Sequence, residues 1–252
     1  MTNKEYREHE GVSRSQLGVL LSETPMHFKF YQDNPKDSSS LNFGRACHKY
    51  ILEKDEFYSE FAIIPEINRR TKEGKAQYEK FIQEHPDHDL ITSEEFEQIK
   101  AMREVVWNEY LELVNGKVEQ SFFWVDDVTG EQCKCRPDVM VEINGRKYIV
   151  DYKTTDSCAD GHFERSAKKY GYKMQAGMYR EGVFQNTFDD YGFIFLAQEK
   201  KAPYAVRMYE CTDEFLNEGY DQFREAIAIY HECKTSNNWY GYERTCLIEE
   251  GE

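Results

Sequence analysis

Residues 136–155 read RPDVMVEINGRKYIVDYKTT, and the fold can be predicted outward from these twenty residues. It contains two apolar runs, residues 139–143 and residues 147–152, on either side of Asn144-Gly145. This dipeptide favours a tight turn between two antiparallel strands. The stretch therefore predicts a β-hairpin.

Charged residues stand at one end of this expected hairpin. Asp138 opens the first strand, and Asp151 and Lys153 end the second. Alternate residues of a strand face the same side, so Asp151 and Lys153 point together while Tyr152 points away. Pairing about the turn brings Asp138 beside Asp151. The sequence thus predicts two carboxylates and one ammonium on one face of a small sheet.

Two neighbouring carboxylates repel each other unless they share a cation, and oxygen ligands suit Mg²⁺ or Mn²⁺. Such an ion lowers the pKa of a bound water and offsets charge on a phosphate oxygen. Lys153 would then orient or help deprotonate the attacking water and stabilise the transition state. For a bare Asp-x-Lys, the common alternative is an exposed ion pair on a strand edge, worth about 1 kcal/mol or less.

Helical patterns fill the chain before the hairpin. Apolar spacing and capping residues predict helices over residues 13–21, 24–34, 42–58, 71–84 and 93–114. Strands are expected at 121–125, 133–136, 191–197 and 204–209, and further helices at 162–184 and 212–234. Without an internal repeat or low-complexity linker, this predicts one α/β domain over 1–252, mainly helical over 1–118 and an αβ core over 119–252.

The amino-acid composition excludes several classes of protein. The 252 residues include 32 Lys and Arg against 47 Asp and Glu, a net charge of −15, yet 15% are aromatic, which excludes a disordered acidic chain. The acidity argues against a broad nucleic-acid-coating surface, although residues 133–180 hold ten basic and six acidic residues, a local balance of +4 against −19 elsewhere. Without an apolar span or signal peptide, and with seven scattered cysteines, a cytoplasmic protein with no membrane contact is expected.

The hairpin residues carry a resemblance. Arg136-Pro137-Asp138, twelve intervening residues and then Asp151-Tyr152-Lys153 resemble the PD-(D/E)XK nuclease superfamily, in its Asp-x-Lys form. Gly44-x-x-x-His48 upstream and Gln175-x-x-x-Tyr179 downstream resemble the RecB-like branch. The resemblance implies a restriction-endonuclease-like α/β core, in which a central mixed β-sheet is flanked by helices.

Further stretches resemble the RecE (exonuclease VIII) type of phage and prophage recombination exonucleases. They are VSRSQL (12–17), ETPMHF (23–28), RRTKEGK (69–75), KYGYxxQ (169–175) and WYGY (239–242). Asp151 stands where many superfamily members carry Glu. RecE-like sequences also have Asp at this position. The resemblance implies a 5′→3′ exonuclease that resects duplex DNA ends, a ring-shaped trimer or tetramer, and a single-strand annealing partner of the RecT type.

The resemblance also assigns roles. It gives His48, Asp138, Asp151 and the Tyr152 backbone carbonyl as metal ligands, and Lys153 as the catalytic lysine beside the two aspartates. His48 alone would more often be an ordinary helix histidine. Gln175 and Tyr179 would position substrate or the lysine, although helix packing explains Tyr179 equally well. The candidate DNA contacts are Arg14, Ser15, Arg136, Thr154, Lys168 and Lys169, the first two at a possible helix start suited to a 5′-phosphate.

The sequence therefore predicts a Mg²⁺- or Mn²⁺-dependent deoxyribonuclease. A basic channel lined by residues 133–180 inside a ring would reconcile the acidic chain with DNA binding. Two alternatives stay open. One is an endonuclease or single-strand exonuclease on the same core, and the other is a catalytically silent DNA-binding or regulatory module that keeps the fold.

Overall fold

The computed structural model describes residue 1, residues 3–34 and residues 39–243. Its helices are α1 (Asn3–Glu8), α2 (Arg14–Ser22), α3 (Pro25–Asp33), α4 (Ser39–Leu52), α5 (Phe57–Glu60), α6 (Lys72–Glu84), α7 (Ser93–Glu109), α8 (Leu111–Val114), α9 (His162–Lys169), α10 (Tyr172–Thr187) and α11 (Asp213–Ser236). Its strands are β1 (Phe61–Ile64), β2 (Asp89–Thr92), β3 (Lys117–Val118), β4 (Phe122–Val125), β5 (Gln132–Cys135), β6 (Val139–Ile143), β7 (Arg146–Thr155), β8 (Gly192–Glu199) and β9 (Val206–Glu210).

A five-stranded sheet in the order β3-β6-β7-β8-β9 forms the centre. β7 and β8 run parallel, while the other neighbouring strands run antiparallel. Parallel neighbours need a long crossover, which α9 and α10 supply. Beside this sheet lie a parallel pair, β1-β2, and the antiparallel hairpin β4-β5. The mixed sheet with flanking helices confirms the predicted fold class.

The predicted hairpin is present as β6 and β7. Its register runs from Val139 opposite Val150 to Ile143 opposite Arg146. Asn144 and Gly145 close it with φ values of +51° and +80°, the left-handed backbone that a two-residue hairpin turn requires. Continuing the register by one residue sets Asp138 opposite Asp151, as the sequence predicted.

The two faces of the sheet pack into different cores. Val150 and Tyr152 belong to a core with residues of α4 and α7, whereas Ile149, Phe193 and Phe195 belong to a core with residues of α9 and α10. Burial of such a side chain contributes about 1.5–3 kcal/mol. This alternation fixes the register, because a slip of one residue would turn each apolar set into the opposite core, where it does not fit, and would carry Asp151 and Lys153 to the other face. It also fixes Asp151 and Lys153 on the α10 side of β7.

Several expected helices are interrupted. The helix expected over 162–184 is two helices, because Gly171 adopts φ +62° between α9 and α10. Residues 93–114 likewise divide at Tyr110, whose φ of −131° leaves the helical region. The helix expected over 42–58 ends at Leu52 and is followed by a 3₁₀ turn and α5. β1 and β2 were not predicted, because four-residue strands show too little periodicity to stand out among helices.

Two further sequence-based expectations concern the environment of the protein. Among the residues that the structure describes, no helix is long and apolar enough to cross a membrane. The six described cysteines are unpaired, and five of them are buried. Cys246 lies outside the described residues.

Candidate active site

A cavity of about 570 Å³ opens beside the end of β7 and is lined by residues of α1, α4, β7 and α10. In it, Nε2 of His48 lies 2.7 Å from Oδ2 of Asp138, and Nδ1 of the same ring lies 3.3 Å from Oε1 of Glu119. One potential ligand atom from each of these three residues lies within 4.8 Å of the other two. We call this group the donor triad.

Glu119 is the member of the donor triad that the sequence analysis missed. Its backbone adopts φ +50° after the two-residue strand β3, and its N–H donates to the carbonyl of Asp138 at 2.9 Å. Nε of Arg136 lies 2.6 Å from Glu119 Oε2 and donates to the Glu119 carbonyl at 3.1 Å. A lone acidic residue at a kink has no motif spacing, so its place beside His48 is visible only in three dimensions.

Asp151 and Lys153 lie on β7, the strand next to Asp138, and are not part of the donor triad. Asp151 is 1% exposed, and its Oδ1 accepts a hydrogen bond of 2.5 Å from Nε2 of Gln175. Its Oδ2 is ion-paired with the ammonium of Lys153. That ammonium lies 5.0 Å from the centre of the Tyr172 ring. The predicted Asp151, Lys153 and Gln175 are therefore brought together, on the same face of the sheet.

The backbone of Tyr152 holds the two halves of the site in register. Its N–H donates to Oδ2 of Asp138 at 2.8 Å, while its side-chain hydroxyl donates to Gln198 at 2.7 Å in the opposite core. Tyr152, Thr154 and Tyr179 all line the cavity. The predicted roles of the Tyr152 carbonyl, Thr154 and Tyr179 stay predictions.

The electrostatics of the site show crowded negative charge. Burial raises the pKa of Glu119 to about 7 and that of Asp151 to about 6, although neighbouring cations oppose both shifts. Burial would also lower the pKa of His48, but the charge and hydrogen bond of Asp138 raise it to about 9. Against the effect of burial, His48 and Lys153 lower the pKa of Asp138. Burial disfavours the Lys153 ammonium, yet Asp151 and Asp138 raise its pKa.

The donor triad has the chemistry of a divalent-cation site. Carboxylate oxygens suit Mg²⁺ and Mn²⁺, and an imidazole nitrogen suits the transition metal in particular. A bound cation would also relieve the repulsion between Glu119 and Asp138, which raises the pKa of Glu119. His48, Glu119 and Asp138 therefore fit a divalent metal. Asp151, which the resemblance gave as a further ligand, is not in the donor triad, and its role as a ligand stays a prediction.

Helix α1 forms one wall of the cavity and is held there by two basic residues. The Lys134 ammonium, whose residue is 6% exposed, donates to the carbonyls of Tyr6 (3.0 Å), Arg7 (3.1 Å) and His9 (2.5 Å). Arg136, besides holding Glu119, donates to the Asn3 side chain at 3.3 Å and to the Met1 carbonyl at 3.0 Å. The contacts of Arg136 are thus internal, and its expected contact with DNA stays a prediction.

Four predicted DNA contacts lie at a different place. Arg14, Ser15, Lys168 and Lys169 line a second cavity of about 880 Å³ between α2, α9, α10 and α11. Arg14 donates to the carbonyl of Tyr170 there. These four residues do not line the first cavity, which contains the donor triad and which we call the metal-type cavity.

Comparison with known proteins identifies the family of the chain. A family model described as a PDDEXK-like domain of unknown function (DUF3799) matches residues 17–249. The chain belongs to this family. Membership in DUF3799 confirms the PD-(D/E)XK resemblance and supports a nuclease. The more specific RecE-type resemblance stays a prediction.

One solved structure shares the fold of this DUF3799 chain. A crystal structure described as that of a "Putative exonuclease" from Eubacterium rectale is 14% identical, covers 100% of this chain and 96% of its own, and has a TM-score of 0.64. The structure of SSO0001 is 17% identical and covers 74% of this chain and 85% of its own, but its TM-score of 0.33 carries no argument. No curated protein matches the chain.

Proposed function

We propose that this DUF3799 chain is a metal-dependent deoxyribonuclease that hydrolyses phosphodiester bonds in the cavity at His48. The observation that carries the proposal is the convergence of the donor triad with Asp151 and Lys153 at one end of the β6-β7 hairpin. An exposed strand-edge ion pair, the alternative for a bare Asp-x-Lys, does not describe Asp151, which is 1% exposed and accepts a hydrogen bond from Gln175.

The position of each side chain in the cavity indicates its role in hydrolysis. A divalent ion held by His48, Glu119 and Asp138 would supply a water of lowered pKa and offset charge on a phosphate oxygen. Gln175 and the Tyr152 N–H fix the orientations of Asp151 and Asp138, so little reorganisation is needed when substrate enters. Lys153 lines the same cavity and can donate a hydrogen bond to a phosphate oxygen as negative charge develops.

Within that activity, we propose a 5′→3′ exonuclease on duplex ends that prepares DNA for single-strand annealing recombination. The motifs at residues 12–17, 69–75 and 169–175 support it by their resemblance to RecE-type sequences. A ring-shaped homo-oligomer and an annealing partner of the RecT type belong to the same proposal. The solved structure from Eubacterium rectale is described as a "Putative exonuclease", which agrees with an exonuclease and does not bear on polarity or substrate.

End-labelled DNA tests the proposal. A linear duplex labelled separately at its 5′ and 3′ ends is incubated with Mg²⁺, with Mn²⁺ and with EDTA, and with Lys153→Ala in place of the wild type. We expect metal-dependent release of the 5′ label as nucleotides, absent in EDTA and in Lys153→Ala. Light scattering on the same sample measures the oligomeric state.

The same assay separates the alternatives. Cleavage of a circular duplex would replace the exonuclease by an endonuclease, and preference for single strands would replace the duplex substrate. Release of the 3′ label first would reverse the polarity. Wild-type protein that releases nothing from any of these DNAs with either metal would overturn the nuclease proposal and leave a binding module.

A further inference from the structure

The basic residues of the central segment are largely neutralised inside the protein. Of the ten in residues 133–180, seven have internal partners, in carbonyls or carboxylates: Lys134, Arg136, Arg146, Lys147, Lys153, Lys173 and Arg180. The local excess of basic residues therefore offers DNA less attraction than the sequence suggested. The other three, Arg165, Lys168 and Lys169, have no carboxylate or carbonyl partner among the described residues, and further cations of this kind lie outside the segment.

A second basic segment lies at the start of α6. Arg69, Arg70, Lys72 and Lys75, which we call the basic turn, are all exposed. Arg69 lies over the Tyr78 ring at 4.7 Å. Within the described part of the chain, the side chains of the other three have no carboxylate, carbonyl or ring partner. The proposed active site does not use any of these residues.

Hydrogen bonds fix the backbone of the basic turn. Thr71 caps α6 by accepting from the Gly74 N–H at 3.0 Å, and its own hydroxyl donates to the Asn68 carbonyl at 3.1 Å. The N–H of Arg70 donates to the Asn68 side chain at 3.1 Å. A Cβ on Gly74 would come within 2.1 Å of the Asn68 carbonyl oxygen, so the glycine lets the turn close on the helix. The cations are presented from a fixed backbone.

Their position is unfavourable for the protein alone. The N-terminus of a helix carries partial positive charge, so cations there are destabilising and anions stabilising. Lys72 opens α6, Lys75 lies in its first turn, and Arg69 and Arg70 come directly before the cap. Glu73 lies in the same turn and offsets part of this charge, but Arg70, Lys72 and Lys75 have no ion-pair partner among the described residues, so a phosphate backbone would stabilise them.

The packing of the aromatic residues of α6 indicates whether the basic turn suits duplex or single-stranded nucleic acid. Single strands are held by stacking their bases on aromatic rings. Here Arg69 covers the Tyr78 ring, and the Phe81 ring packs on His85 at 4.2 Å. The turn thus presents charge without a free stacking surface, which suits the phosphate backbone of a duplex.

We propose that Arg70, Lys72 and Lys75 form a binding surface for the phosphate backbone of duplex DNA, separate from the metal-type cavity. This inference rests on the proposed nuclease function for its substrate. The surface holds the duplex and leaves the chemistry to the cavity.

The test compares two triple variants of the full-length protein. Arg70→Gln/Lys72→Gln/Lys75→Gln removes the surface. Lys54→Gln/Lys117→Gln/Lys201→Gln removes equal charge from three other exposed cations without a described ion-pair partner. Hydrolysis of a 30-bp duplex with Mg²⁺ gives KM and kcat, and fluorescence anisotropy of the same duplex in EDTA gives binding, both across a salt series.

We expect the first variant to raise KM about tenfold or more with kcat unchanged, and to reduce the log–log salt slope of binding by about 2–3. The control variant should change both by much less. The melting temperature of the first variant should be unchanged or higher, because an unfavourable helix charge is removed. A merely structural turn would instead lose stability.

Equal KM and equal salt slope in the two variants would overturn the inference. A larger loss for a single-stranded 30-mer than for the duplex would also overturn it, in favour of single-strand binding. If the wild type cleaves no DNA, the nuclease proposal fails, and the anisotropy series still decides the surface. Wild-type protein that binds no duplex at low salt would refute the surface as well.

Discussion

The cavity at His48 and the cavity at Arg14 share a stretch of chain at the start of α10. Tyr172 lines the first, whereas Tyr170, Lys173 and Met174 line the second. The second is larger, about 880 Å³ against about 570 Å³, and its walls are richer in apolar side chains. Among the described residues, however, the cluster of possible metal donors lies in the smaller one. Donor chemistry, and not volume, distinguishes the proposed active site from the larger cavity.

Removal of a carboxylate from the smaller cavity should have the largest effect. Asp138→Asn and Asp151→Asn should each lower kcat by about 10³-fold, because each removes charge at the reacting centre. Quenched-flow hydrolysis of labelled duplex measures this. Gly18→Leu, which fills part of the larger cavity, should leave kcat unchanged. A fall in kcat for Gly18→Leu comparable to that of Asp138→Asn would break the distinction between the cavities.

The second-largest effect should be on metal affinity, which should depend on the donor triad and not on the larger cavity. Glu119→Gln should weaken Mn²⁺ binding about 10–100-fold, measured by titration calorimetry. Its matched control is Glu210→Gln, which removes the same charge from the wall of the larger cavity. That variant should bind Mn²⁺ like the wild type. Equal losses in the two variants would show that general acidity, and not the donor triad, attracts the ion.

The wall formed by α1 should respond to a smaller perturbation. Lys134→Met keeps the apolar stem but removes the donor to three carbonyls of the α1 segment, and should cost about 2 kcal/mol of unfolding free energy. Hydrogen exchange should accelerate in residues 3–8. The Lys29→Met change, at an exposed ion pair with Asp33, provides the control and should have little effect. Unaltered exchange in α1 would mean that Lys134 does not hold it.

The smallest effect concerns α11, a wall of the larger cavity. Burial opposes ionisation of Asp126, but hydrogen bonds from Arg224 and Thr129 hold its pKa below the ordinary 3.8. Its stabilisation is therefore full above that unfolded-state value and is lost as the pH falls through the folded one. Asp126→Asn should cost about 1 kcal/mol at pH 6 and less at pH 2.5. Urea unfolding at both pH values checks this, and a pH-independent difference would contradict it.

Much of the site could be predicted from local sequence. Asn144-Gly145 fixes the hairpin turn, and strand alternation then sets Asp138 beside Asp151 and turns Lys153 to the same face. His48 and Gln175 could be selected because four-residue spacings mark one face of a helix and the resemblance supplies their role. In each case, the relevant contact follows from regular geometry over a few residues.

The rest depended on irregular backbone or distant contacts. Glu119 reaches His48 from a left-handed kink, which no periodic pattern reports. Gly171 divides a segment that the sequence predicted as one helix, because the residue type alone does not report that this backbone turns to φ +62°. Likewise, Arg14 shows a helix start in sequence but not which cavity it faces, because that depends on the packing of α2 against α10.

The tight turn of the hairpin also bears on how the protein folds. Short-range contacts close fastest, and an isolated hairpin forms in about 1–10 μs, whereas parallel pairing and distant helices wait for larger loops to close. Asp138 and Asp151 belong to that fast-closing unit, while His48 and Gln175 arrive with α4 and α10. We therefore expect the two carboxylates to meet early in folding, before the histidine that completes their cation site.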